Sequence, residues 1–66
     1  MTGIVTVEED RALGWMLLER LEGGSDIYKA VVRKHMEDGY ECFKISRHVT
    51  VCTKNYSTRR ITYSEV

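Results

Sequence analysis

The stretch EEDRALGWMLLERLE, residues 8–22, decides the fold of this 66-residue chain, because it can be read as a helix. Its leucines recur at helical spacing: Leu13, Leu17, Leu18 and Leu21 share one face, and Gly14 falls among them. Thr6 and Glu9 have the spacing of a capping box, in which a hydroxyl and a carboxylate satisfy free amides at a helix start. Acids in the first turn suit the positive end of the helix dipole, and Gly23-Gly24 stops the run where a C-cap is expected. The spacing therefore predicts a first helix over most of 8–22.

Working outward, GIVTV (3–7) is β-branched and is read as a short edge strand. SDIYKAVVRKHMEDG offers two readings. As a strand, alternation sets Lys34 among apolar residues and splits Val31 from Val32. As a helix, Ile27, Tyr28, Val31, Val32 and His35 gather on one side, with Gly39 as the stop, and periodicity favours this choice. After Gly39 the period changes to two. Phe43, Ile45, Val49 and Val51 alternate with Cys42, Lys44, Thr50 and Cys52. A hairpin with Ser46-Arg47-His48 as its loop pairs Phe43 with Val51 and sets Cys42 opposite Cys52. KNYST is a turn, and RRITYSEV is a last strand with Ile61 and Tyr63 on the apolar face. The expected architecture is a single α+β domain over 1–66. Two helices pack on one face of a small antiparallel sheet of about three strands, with 3–7 as an extra edge strand.

Composition narrows function mainly by exclusion. A chain this short has one thin core and little volume for a deep pocket. Its opening lacks a basic region and a long apolar run, so neither a signal peptide nor a membrane span is expected. A cytoplasmic setting follows, in which thiols are normally reduced. His35, Cys42, His48 and Cys52 are the right types and number for structural zinc, but neither cysteine belongs to a closely spaced pair. The expectation is no metal, no cofactor and no Cys/His nucleophile. The thiols are incidental to a hairpin.

Formal net charge is zero but polarised. Residues 1–24 carry five acids against two bases, and residues 25–66 carry eight bases against five acids. Such halves suit opposite partners or each other. Two surfaces are candidates for binding. On the predicted first helix Trp15 points away from the leucines. Met16, Ala12 and Glu19 lie near it, forming an anchor with a polar rim; the alternative is that another element covers Trp15 to enlarge the core. The second surface is the acid-free span from Cys42 to Ser64, with Lys44, Arg47, Lys54, Arg59 and Arg60. Such cations suit phosphate contacts, although a pI near 6.7 lies well below that of typical nucleic-acid-binding domains. The expected function is a non-enzymatic module that regulates or inhibits a protein partner by occlusion. Small blockers encoded by phages and mobile elements are the analogy of size. Nucleic acid bound by the basic hairpin is the alternative, and a homodimer is compatible with either.

Overall fold

The computed structural model describes residues 2–65 and shows one helix on one five-stranded antiparallel sheet. The strands are β1 (Gly3–Arg11), β2 (Gly14–Gly23), β3 (Glu41–Ser46), β4 (Val49–Lys54) and β5 (Ser57–Glu65). The helix α1 (Ser25–Glu37) lies between β2 and β3 in the chain. In space the order is β2-β1-β5-β4-β3. Among the described residues, no helix is long and apolar enough to cross a membrane.

This corrects the expectation of two helices on about three strands. The stretch 8–22 is not a helix: it is the end of β1, a two-residue turn and nearly all of β2. Arg11 pairs with Gly14 across Ala12-Leu13, and Gly14 takes φ +126°, a conformation that glycine adopts without steric penalty. Thr6 and Glu9, the supposed capping box, are residues of β1. Tertiary pairing has overridden local propensity here. Segment 3–7 is no edge strand but an interior one, with its backbone flanked by β2 on one side and β5 on the other. The helix preference of Leu, Met, Glu and Arg over strand formers amounts to only tenths of a kcal/mol per residue, up to roughly 0.7. Of the four leucines at helical spacing, only Leu21 packs against the core. Leu13 stands fully exposed at the turn.

The second helical reading holds. In α1, Tyr28 and His35 are buried, and Ile27, Val31 and Val32 flank them against the sheet. Its N-cap is Gly24. Gly39, at φ +97°, turns the chain out of the helix, and Tyr40 N–H donates back to the His35 carbonyl at 3.0 Å. Gly23 lets the end of β2 approach the helix closely, since a Cβ there would collide with Ile27.

The core is one thin layer between helix and sheet: Val5, Val7, Tyr28, Cys52, Ile61 and Tyr63. Tyr28 Oη and Thr50 Oγ1 form a buried hydrogen bond, so neither hydroxyl is stranded. Phe43 pairs with Val51 and Cys42 with Cys52, as the alternation predicts. The loop is shorter than expected. Ser46 pairs with Val49 around Arg47-His48, and a bulge at Ile45 restores the register. What is inverted is the face. Cys52 and Thr50 point at the helix, while Phe43 and Ile45 point away from the core and are more than half exposed. Cys42 and Cys52 are joined as a disulfide on the covered side, a bond that their opposed register allows and that only a reducing setting argued against.

Candidate interaction surface

Residues opposite one another in a sheet share a face, so the strand registers define what the uncovered side presents. One row runs across all five strands: Leu17, Glu8, Arg60, Val51 and Phe43. Beside it, Thr6, Thr62 and Val49 form a second row that begins at Arg20. Trp15, paired with Asp10, projects on the same side next to Leu17. The open face is thus apolar at both edges and polar along its middle.

Its centre is fixed by charge. Arg60 donates from Nε (3.0 Å) and Nη2 (2.8 Å) to one carboxylate oxygen of Glu8. The guanidinium carbon lies 4.2 Å from the Trp15 ring centroid. A cation held over an indole face pins the aromatic without covering it. Trp15 remains 40% exposed, Leu17 54% and Phe43 56%, so three large apolar side chains reach solvent on one side of one sheet. The alternative in which another element covers Trp15 is therefore not realised among the described residues.

The covered side holds a second polar cluster, at the C-terminal end of α1. Glu9 accepts from Arg59 Nε and Ser57 Oγ, each at 3.2 Å, and pairs with Arg11 at 2.6 Å. Burial pushes the Glu9 carboxyl up. The hydrogen bonds from Arg59 and Ser57 and the charges of Arg11 and Arg59 outweigh it and hold the group below the usual carboxylate range. Arg59 also faces His35 Nε2 at 3.4 Å, while His35 Nδ1 donates to the Val31 carbonyl at 2.9 Å. The Tyr40 ring centroid lies 5.2 Å from the Arg59 guanidinium carbon and 5.5 Å from the Lys54 ammonium, which donates to the Asp38 carbonyl at 2.6 Å.

The residues singled out from sequence are therefore dispersed. Trp15 and Met16 are successive strand positions and face opposite sides, with Ala12 in the turn before them and Glu19 opposite Val7 on the helix side. Among the five cations, Arg60 alone lies on the open face. Lys44, Lys54 and Arg59 are on the covered side, and Arg47 is in the β3–β4 turn. Arg59 and Arg60 are neutralised by Glu9 and Glu8 across the β1–β5 pair, so the acidic and basic halves of the chain meet each other. Sequence reasoning missed Leu17, Phe43 and Val51 as residues of this surface. For Phe43 and Val51 the available signal was Cys52, a residue type most often found fully buried, whose parity excludes theirs; Leu17, on a different strand, carried no such signal. The four metal-ligand candidates are also separated. The cysteines bond each other, His35 faces Arg59, and His48 packs edge-on against Tyr63. No group of three or more potential metal ligands occurs among the described residues.

Comparison with protein-family models, with curated proteins and with solved structures returned no match to this chain.

Proposed function

We propose that this chain is a non-enzymatic protein-binding module that regulates or inhibits a partner by covering an apolar part of its surface. The observation carrying this reading is the row Leu17–Glu8–Arg60–Val51–Phe43 with Trp15 held on Arg60. Trp and Arg are the side chains that most often dominate binding energy, and here the arginine presets the tryptophan. Charge favours a protein with a basic rim over a polyanion: the open face carries Glu8, Asp10, Glu22 and Glu41 against Arg20 and Arg60. The dispersal of Lys44, Arg47, Lys54 and Arg59 away from that face weighs against the nucleic-acid reading. A cytoplasmic setting belongs to the same proposal. There the Cys42–Cys52 bond would be open, with the two thiols in the same cross-strand position.

The test is retention of partners from native lysate on the immobilised domain, with and without nuclease, compared with Phe43→Ala and Arg60→Ala. Protein retention that survives nuclease and drops at least tenfold with both variants is expected. Retention abolished by nuclease would move the reading to nucleic acid. Retention indifferent to both substitutions would remove the open face from the account.

A further inference from the structure

Strand β2 forms one edge of the sheet: β1 pairs with one side of its backbone, and no strand among the described residues pairs with the other. Exposed edges are normally blunted by lysine, proline, inward-facing charge, a bulge or extreme shortness, because unpaired backbone groups template further pairing. Residues 14–17 show none of these devices, and the bulge at Leu18 bounds the unprotected segment. Instead Trp15, Met16, Leu17 and Leu18 are four consecutive apolar residues with exposures of 40, 50, 54 and 38%. Trp15 and Leu17 face the open side and Met16 the helix side, so no single cover on either face would bury them. Addition of a strand at the edge shields both sets at once.

We infer that the edge of β2 pairs antiparallel with β2 of a second copy of this chain, about a two-fold axis through Met16. The occupant follows from charge and parity. No charged residue occurs from Ala12 to Leu18, so self-pairing there opposes no like charges, whereas Glu19, Arg20 and Glu22 occupy the rest of the strand. A two-fold perpendicular to the sheet preserves faces, so paired residues must point to the same side. Centred on Met16, the axis sets Met16 against Met16 on the helix side. It sets Trp15 beside the second copy's Leu17 on the open side, and the reverse. The single irregularity of β2, where Leu18 is passed over between the Val7–Glu19 and Glu8–Leu17 pairs, lies at the limit of the paired segment. Pairing about the middle of β2 instead would set apolar Trp15–Leu18 beside Glu19–Glu22. The two open faces would then join into one, with a Trp15–Leu17 contact repeated across the seam. This dimer goes beyond the partner-docking reading and stands independently of it.

The experiment is sedimentation of the full chain across concentrations, alongside Met16→Lys, Phe43→Lys and Met16→Cys. Wild type and Phe43→Lys are expected to reach the mass of two chains. Met16→Lys, which opposes two ammonium groups at the axis, should remain at the mass of one. Met16→Cys should cross-link under mild oxidation through the introduced thiols of the two copies, identified by peptide mapping. This keeps the test decisive if Met16→Lys fails to fold. A wild-type chain that stays at single mass at every concentration would overturn the inference. So would a dimer dissolved by Phe43→Lys and not by Met16→Lys, which would indicate packing through the open faces. Loss of partner retention in Phe43→Lys with the dimer intact would separate the two proposals.

Discussion

In β3 and β4 the two faces of this sheet carry nearly the reverse of what their residue types suggest, whereas in β1 and β5 the apolar Val5, Val7, Ile61 and Tyr63 lie under the helix. The face under α1 contains Thr50, Arg59, a disulfide and the polar His35 brought down by the helix. The opposite face contains Trp15, Leu17, Phe43 and Val51. On the covered face, polar groups are tolerated because each finds a partner: Tyr28 with Thr50, Glu9 with Arg59 and Ser57, and His35 with Val31. On the open face, apolar groups stay exposed, with no covering element among the described residues. Burial in a small domain follows the position of its one helix. Hydrophobicity along the strands does not by itself mark the core.

The sharpest break between the faces is expected from Ile61→Ala. Ile61 is fully buried at the centre of the core, and its truncation should cost about 2–5 kcal/mol, enough to unfold much of a domain this small. Denaturant unfolding monitored by circular dichroism measures it. An effect below about 1 kcal/mol would mean that the helix does not cover this face in solution.

A smaller effect is expected from Leu17→Ala, although the two residues have equal volume. Leu17 is 54% exposed on the open face, so its loss should shift stability by less than about 1 kcal/mol in dilute solution. The helical reading of 8–22 requires instead a core-sized loss of about 2–5 kcal/mol. The same denaturant titration, run at low concentration to exclude pairing, decides between them.

The legibility of the fold divides along the same line. Segment 25–37 was readable because Ile27, Tyr28, Val31, Val32 and His35 keep one helical face and Gly39 ends it. The pairs Phe43–Val51 and Cys42–Cys52 were readable because alternation and a short turn leave few registers. Segment 8–22 was misread because its strands are set by pairing across the Ala12-Leu13 turn and, at Glu8 and Glu9, by β5, neither of which the helical spacing of the leucines reports. Which face of β3 and β4 is covered was likewise invisible locally. Parity relates residues to one another, but the helix position chooses the side. For the candidate surface, Trp15 and Arg60 were singled out separately, and only the register of β1 with β2 and β5 brings them together.

The smallest expected effect concerns the polar cluster of the covered face. The Glu9 carboxyl is held below the ordinary value of 4.5, so the folded state favours its ionised form more than the unfolded state does. Its contribution to stability is fully present above about pH 4.5 and is lost as pH falls through the lowered value. Glu9→Gln should therefore flatten the acid limb of the stability profile below that pH while changing its slope little above neutrality. Thermal midpoints measured between acid and neutral pH check this, and an unchanged acid slope would assign the limb to other carboxylates.

The pairing of Gly3 with Glu65 has a consequence for how the chain reaches this state. The strands joined at the heart of the sheet are separated by 62 positions at that pair, the widest separation among the strand pairs. Ordering them requires closing a loop almost as long as the protein, at an entropic cost borne before the core of Val5, Val7, Ile61 and Tyr63 can form. Both hairpins at the flanks are local and can form early, yet neither encloses a core by itself. Among the strand pairs, this one therefore carries the largest loop-closure cost. Because those ends finish side by side, a short covalent bridge between them, with the chain reopened at the exposed Ala12-Leu13 turn, would turn the most distant pairing into a hairpin.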